Sequence, residues 1–206
     1  MRQRTPRSHR LVQLICLPLA HASSKMGMID AYFSPLGVSG LSELSVAYAT
    51  VPLQPGDQFV VSDARLKRMP AVRWNASIAC AMLLLVDLDA GGRGDDDSQA
   101  GPLGPFVHSL WTHCRDGAVQ SCRVVKPYLP PGANKPKPNR YVYLLLSHAC
   151  SASLHRPKGL RWGSKFDVGL LLSSNRGPAA LVPAAYNFLL VGGPSGASMS
   201  KRSMRG

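Results

Sequence analysis

The sequence predicts a mostly β protein, an antiparallel β-sandwich with a peripheral C-terminal helix. Glycine and proline are frequent, with 19 and 17 among 206 residues, which is typical of short strands joined by turns. Apolar stretches of strand length recur along the chain, whereas one helix is predicted, late in the sequence. Strands without an alternating helix after each one favour a sandwich over a parallel α/β fold.

The first predicted strands lie in the N-terminal half. Residues 41–51 alternate between apolar and polar, and residues 59–61 form a second, shorter candidate. The basic segment 65–74 contains a proline, which places it at a sheet edge or in a loop. Residues 78–88 are almost continuously apolar, as expected for a strand buried on both faces.

The later elements follow long polar loops at 89–105 and 130–139. β-Branched and aromatic residues predict strands at 106–114, 140–148 and 184–193. In the segment 163–175, Phe166 and Leu170 stand four apart, which predicts a short helix. The predicted domain therefore covers residues 41–192, and residues 193–206 form a flexible basic tail.

Charge is distributed unusually. The net charge is +13, with 24 Lys and Arg against 11 Asp and Glu, and such an excess favours a polyanionic partner. Residues 1–40 are rich in arginine and contain no acid before Asp30. They resemble a mitochondrial targeting segment with a linker, although the apolar run at 11–20 also allows a secretory signal. We expect the mitochondrial matrix, with the cytoplasm as the alternative, and no transmembrane segment, since this run is too short to cross a bilayer.

The cysteines predict neither a zinc site nor a disulfide framework. There are five, an odd number, with no closely spaced pair of the kind that zinc ligands form. We therefore expect reduced thiols in a cytosolic or organellar compartment, and neither a metal nor a cofactor.

Asp87 and Asp89, which follow the apolar run, are the first candidate site. They could serve as a general acid and base, as hydrogen-bond acceptors at the end of a strand, or as part of a ligand pocket. Side chains two apart in a strand point to the same face, but the sequence offers no accompanying nucleophile. His108 and Ser109 are adjacent and so face opposite sides of their strand. We therefore expect a protein without enzymatic activity.

The order of motifs resembles the phosphatidylethanolamine-binding protein (PEBP) family, also called Raf-kinase-inhibitor-like proteins. The matching segments are "LLLVDLDA", "GPFVHSLWT", "PYLPPG", "NRYVYLLL", "KFDVGLLL" and "AAYNFLLV". The resemblance implies a sandwich with a small pocket at one end that binds anions such as a phosphate headgroup. The positions corresponding to the pocket are Asp87, Asp89, Phe106, His108, Pro130, Pro131, Asn139 and Tyr141.

This sequence departs from the family pattern at several pocket positions. Both prolines around the aspartate pair are lost, Leu129 stands where the family has a glycine, and Asn139 replaces a histidine. Asparagine cannot carry the positive charge of a histidine, the leucine adds volume, and losing prolines loosens the loop. The resemblance therefore implies a degenerate pocket that holds an anion weakly or is closed.

Basic residues near aromatics or prolines are candidates for nucleic-acid contact. They are Arg65, Lys67, Arg68, Arg73, Lys135, Lys137, Arg140, Lys158, Arg161 and Lys165. The family includes a protein of the mitochondrial large ribosomal subunit. The resemblance and the charge together predict an RNA-associated ribosomal component that contacts ribosomal RNA and neighbouring ribosomal proteins. The alternative is a soluble protein that binds phosphate or a phospholipid headgroup and modulates signalling.

Overall fold

The computed structural model describes residues 27, 29–36, 40–133, 135, 137–158 and 160–193. Within these residues the chain forms ten strands and, near the C-terminal end, helix α1. The strands are β1 Ser42–Glu43, β2 Ser45–Tyr48, β3 Val51–Pro52, β4 Asp57–Val60, β5 Ala71–Arg73, β6 Ala81–Asp87, β7 Phe106–Cys114, β8 Arg123–Lys126, β9 Asn139–Ser147 and β10 Val182–Gly192, and α1 is Val168–Ser174.

The strands form two sheets. The larger has seven strands in the order β1-β10-β9-β6-β7-β8, with β4 also pairing with β10, and the smaller has the order β3-β2-β5. β6, β7, β8, β9 and β10 pair antiparallel with their neighbours, whereas β1 and β4 both run parallel to β10. The predicted mostly β sandwich is confirmed, with these two parallel pairings as an addition.

The central strands of the larger sheet are buried on both faces, and β6 shows why. Met82 and Leu84 join the core that also contains α1, whereas Leu83 and Leu85 join the core facing the smaller sheet. All seven residues of β6 are buried. Because successive side chains alternate between faces, a strand covered on both sides must be apolar at every position. The prediction for the apolar run 78–88 is confirmed.

The strand predicted over residues 41–51 is divided among three short strands. β1 pairs with β10 of the larger sheet, whereas β2 and β3 pair with each other in the smaller one. The chain passes from one sheet to the other at the fully buried Leu44, whose amide donates to the Tyr186 carbonyl at 2.9 Å. Two consecutive polar residues, Ser42 and Glu43, interrupt the alternation just before this passage, and the prediction of one continuous strand did not take account of that interruption.

Helix α1 is confirmed but shorter than the predicted segment. Asp167 caps its N-terminus by accepting a hydrogen bond from the Leu170 amide at 2.8 Å, a preferred arrangement for a first turn. Val168 and Leu171 are its buried residues. The predicted residue Phe166 lies before the helix and stacks on Trp162, with 5.5 Å between ring centroids.

The predicted domain boundary at residue 41 is too late. Residues 29–33 are helical, and Ile29 and Phe33 are buried in the core beside α1. The Tyr186 hydroxyl donates to the Asp30 carboxylate at 2.8 Å. At least residues 29–36 therefore belong to the folded domain. Residues 1–26, 28 and 37–39 of the predicted targeting segment and linker lie outside the described residues, as does the predicted tail apart from residue 193.

The prediction of reduced cysteines is wrong for four of the five. Disulfides join Cys80 to Cys150 and Cys114 to Cys122, whereas Cys16 lies outside the described residues. Cys80 precedes β6 and Cys150 follows β9, and these two strands are antiparallel neighbours. The pairing therefore depends on a strand register that cysteine spacing does not encode.

Across the described ranges, no helix combines the length and apolar character needed to cross a membrane.

Candidate functional pocket

A pocket of about 500 Å³ lies where β6 ends and where β7 and β9 begin. Two loops complete it, one after β6 and one before β9. Its lining residues are Asp87, Ala90, Gly91, Gly92, Phe106, His108, Leu129, Pro130, Gly132, Ala133, Lys135 and Asn139. The antiparallel register brings these polar groups together, because Asp87 is paired with Phe106 on one side and Tyr141 on the other.

Asp87 is a buried carboxylate with no ion pair among the described residues. Its Oδ1 accepts from the Asp89 amide at 2.8 Å, and the Asn139 side-chain amide donates to both of its oxygens at 3.0 and 3.3 Å. Burial disfavours the charged form and raises the pKa of Asp87 to about 6. Asp87 can therefore gain or lose a proton close to neutral pH.

Asp89 is, in contrast, fully neutralised by Arg140. Its carboxylate accepts from the Arg140 amide at 2.8 Å, from Nε at 2.9 Å and from Nη2 at 2.7 Å. Both side chains are completely buried. Arg140 also donates to the carbonyls of Asp97 and Gln99, at 2.5 and 2.8 Å. The pair holds the loop that follows β6 onto β9.

Asp87 and Asp89 do not act at one site, because the strand ends between them. β6 stops at Asp87, and the turn that follows directs the Asp89 carboxylate to Arg140. Arg140 follows Asn139 in β9, and adjacent strand residues point to opposite sides. Asn139 therefore reaches the pocket while Arg140 is buried behind it. The prediction that Arg140 contacts nucleic acid is wrong for the same reason.

His108 is directed to the pocket by an irregularity in β7. Leu85 pairs with Ser109 and Val86 pairs with Val107, so His108 is an extra residue at a β-bulge. Its Nδ1 lies 3.0 Å from the Leu129 carbonyl oxygen. Since a carbonyl only accepts, Nδ1 carries the hydrogen. Burial lowers the pKa of His108 to about 4, so the neutral ring keeps Nε2 as an acceptor.

Two aromatic rings contact the histidine, and a lysine lies on either side of this region. The Phe106 and Tyr141 rings make edge contacts with the His108 ring, at 5.0 and 5.1 Å between centroids. The Lys126 ammonium lies 4.5 Å from the Phe106 centroid, a cation–π arrangement. Lys135 is exposed at the pocket lining. Positive charge is thus provided at the edge of the pocket and not at its floor.

A tight return of the chain supports the loop after β6, in place of the missing prolines. The Gly101 amide donates to the Leu88 carbonyl and the Leu103 amide to the Ala90 carbonyl, both at 2.9 Å. A Cβ atom on Gly104 would lie 2.1 Å from the Leu88 carbonyl oxygen, so only glycine fits there. These contacts and the ion pair of Asp89 hold the loop in place although the prolines are absent.

The predicted pocket residues divide into two groups. Asp87, Phe106, His108, Pro130 and Asn139 line the pocket, whereas Asp89, Pro131 and Tyr141 do not. The Tyr141 hydroxyl accepts from the Gly132 amide at 3.1 Å and so positions the proline loop.

Sequence reasoning missed Gly92, Gly132, Ala133 and Lys135 as pocket residues, although two of them directly follow the proline pair. Leu129 stands at the edge, 44% exposed, and the pocket is open.

The other predicted nucleic-acid contacts are exposed side chains. Two of them already have acidic partners, since Arg65 pairs with Asp63 at 2.6 Å and Lys137 with Asp95 at 2.9 Å. Exposure makes nucleic-acid contact sterically feasible, but it does not test that prediction.

Comparisons with known proteins show the fold. No family model matches the sequence, and no curated protein matches it.

Among solved structures, a carboxypeptidase Y inhibitor in complex with its cognate proteinase aligns with a TM-score of 0.63 and 17% identity, over 89% of this chain and all of that one. Phosphatidylethanolamine-binding proteins from Plasmodium falciparum and Plasmodium vivax align with TM-scores of 0.58 and 0.61. Their identities are 14% and 12%, over 86% and 85% of this chain and 98% of each of theirs. The chain therefore has the PEBP fold.

Proposed function

We propose that this protein binds a small phosphate-bearing ligand, such as a phospholipid headgroup, and has no enzymatic activity. The observation that carries the proposal is the assembly of Asp87, His108 and Asn139 at the floor of one open pocket with Lys135 at its lining. Few concave sites in a domain combine apolar walls with convergent polar groups, and those that do are the preferred binding-site candidates.

The floor of this pocket is rich in hydrogen-bond acceptors. His108 presents Nε2, and Asn139 Oδ1 is a buried atom with no hydrogen-bond partner among the described residues. A donor on the ligand, such as a phosphate hydroxyl or the ammonium group of an ethanolamine, would satisfy these acceptors. Its negative charge would face Lys135, and a protonated Asp87 would donate a further hydrogen bond.

The lining also supports binding over covalent catalysis. Its described residues include no serine, threonine, cysteine or tyrosine, which leaves Asp87, His108 and Lys135 as the side chains of nucleophilic type. Asp87 is engaged by Asn139, and His108 by the Leu129 carbonyl. These contacts hold both side chains in place for recognition.

The ribosomal role and the matrix location stay predictions, and the present observations favour a different setting. Neither the inhibitor nor the two phosphatidylethanolamine-binding proteins found among solved structures is described as ribosomal. Two disulfides are typical of oxidising compartments. We therefore propose entry into the secretory route, with the arginine-rich start and the apolar run at 11–20 acting as a signal. Sedimentation of the protein with large ribosomal subunits from a mitochondrial extract would overturn this.

Titration of phosphoethanolamine by calorimetry tests the proposed function. We expect binding by the unaltered protein and an affinity about tenfold lower for Lys135→Ala, because one charge-assisted contact is removed. Lys137→Ala is the matched control, since Lys137 is a nearby exposed lysine that does not line the pocket. Equal losses in both variants would indicate general attraction by charge. Equal, negligible binding by the unaltered protein and Asp87→Ala would remove the proposal.

A further inference from the structure

A second cavity, of about 210 Å³, lies on the face of the larger sheet that carries α1. It is bounded by β7, β8, the segment before α1 and α1 itself. Its lining residues are Met82, Leu110, Thr112, His113, Arg123, Val125, Leu154, His155, Arg156, Trp162 and Leu171. It shares no residue with the pocket of Asp87. A ligand here would not compete directly with one held there.

The floor of this cavity is apolar. Met82, Leu110 and Leu171 are buried core residues, and Leu154 and Trp162 pack against the same core. Val125 of the edge strand β8 forms part of the wall and is 46% exposed. Water in such a space contacts mostly hydrocarbon, so replacing it with an apolar group is favourable in proportion to the area covered.

The rim of the cavity is basic. The exposed residues Arg123, Arg156, His113 and His155 line it, and its described lining includes no aspartate or glutamate. The Arg156 guanidinium is positioned by a hydrogen bond to the Leu160 carbonyl at 3.1 Å and lies 5.5 Å from the Trp162 centroid. Arg123 forms no salt bridge within the described part of the chain. The rim therefore offers two guanidinium groups to an anion.

We propose that this cavity binds a small amphipathic carboxylate, with its apolar tail on the floor and its carboxylate between Arg123 and Arg156. Arginine recognises carboxylates through paired N–H donors, and the apolar floor selects against small inorganic anions. The volume lies below the range of about 300–1,000 Å³ for drug-sized ligands. The tail is therefore a short acyl chain or a single aromatic ring, not a complete phospholipid.

Calorimetry on the full chain with three probes tests the proposal. Two of the probes each lack one feature of the third. Octanoate has both tail and charge, 1-octanol has the tail alone, and acetate has the charge alone. We expect octanoate to bind, and each of the other two to bind at least about tenfold more weakly, since both halves of the site contribute. Octanoate should bind equally well when phosphoethanolamine is present in excess, because the two cavities share no lining residue.

Charge reversal identifies the site. The double variant Arg123→Glu with Arg156→Glu should lose octanoate binding by at least about tenfold, because two attractive charges become repulsive. The matched control is Lys67→Glu with Arg73→Glu, which changes the net charge equally at exposed positions outside the cavity.

Equal binding of octanoate and 1-octanol, or equal losses in the two double variants, would overturn the proposal. Absence of octanoate binding to the unaltered protein would overturn it as well. Competition by phosphoethanolamine would assign the octanoate to the pocket of Asp87 instead and would equally defeat it.

Discussion

The two ends of strand β6 are fixed by different chemistry. At its start, Cys80 is bonded to Cys150, which follows the antiparallel neighbour β9. At its end, Asp87 and Asp89 are held by hydrogen bonds and one ion pair from the start of β9. The first end is a covalent link that does not respond to ordinary changes in pH. The second is a polar network in which one group can change its charge.

This difference separates support from function at the pocket end. Asp89 forms the ion pair with Arg140 that fixes the loop. Asp87 forms no ion pair among the described residues and lines the pocket. A buried carboxylate that has only neutral partners retains a proton more readily. The fold can therefore keep a titratable group in the pocket because its neighbour two residues away secures the backbone.

Breaking the ion pair should have the largest effect. Asp89→Ala removes the carboxylate that lies 2.7 Å from Arg140 Nη2 and leaves Asp97, 3.8 Å from Nη1, as a more distant one. Because the guanidinium stays buried, the change should lower the free energy of unfolding by about 3–5 kcal/mol. Urea denaturation measures this. As a control, replacing both partners with Asp89→Leu and Arg140→Met should cost less than Asp89→Ala alone, because neither buried charge of the pair remains. A double variant that loses as much stability as Asp89→Ala, or more, would contradict a coupled pair.

Removing the disulfide at the other end of β6 should have the next largest effect. In the chain-entropy model, Cys80→Ser with Cys150→Ser should cost about 4 kcal/mol, because the link closes a loop of 70 residues. Cys114→Ser with Cys122→Ser spans only 8 positions and should cost about 2–3 kcal/mol. Thermal denaturation at pH 5 and pH 8 should give the same order at both values. A larger loss of stability on removing the Cys114–Cys122 disulfide would show that loop length does not determine how much each disulfide stabilises the fold.

The polar end of β6 should make the free energy of unfolding depend on pH, whereas the disulfide end should not. The folded pKa of Asp87 is about 6, above its ordinary value of 3.8. The folded state therefore keeps a proton that the unfolded chain releases, and stability falls as pH rises through this window. Two pKa units correspond to up to about 3 kcal/mol.

Asp87→Asn has no proton to lose and should gain stability relative to the unaltered protein as pH rises from 4 to 6.5. The control is Asp95→Asn. Asp95 is exposed, and Lys137 lowers its pKa, so its trend should be opposite and small. Parallel stability curves for Asp87→Asn and the unaltered protein would show that another group titrates.

Some of the fold and site could be predicted because their causes are local. Strand β7 has the bounds that the sequence predicts, because its segment contains Phe106, Val107, Trp111 and Thr112 and lies between a polar loop and a turn. The helical residues 29–33 were missed although Ile29 and Phe33 have a helical spacing, because the basic composition of the region suggested a targeting segment. Their burial depends on partners far along the chain, such as Tyr186.

Arg140 shows a signal that was present and not used. It directly precedes the apolar and aromatic run of a predicted strand, and an arginine buried with such a strand requires an acidic partner. The bulge at His108 and the two disulfides carried no such signal, because each depends on how two distant strands align. Contacts set by register, and not by composition, are the ones that sequence reasoning missed.

The smallest effect expected is on ligand affinity, and it links the proton on Asp87 to the pocket. Sulfate is a suitable probe because its charge stays constant between pH 5 and pH 7. The pKa of His108, about 4, keeps that ring neutral over the same range. If sulfate requires protonated Asp87, its affinity should fall about tenfold from pH 5 to pH 7, following the protonated fraction of a group with a pKa near 6. Asp87→Asn should bind sulfate with little change over this range, near the affinity of the unaltered protein at pH 5. A similar decline in both proteins would place the controlling proton elsewhere, on the rim and not at the end of β6.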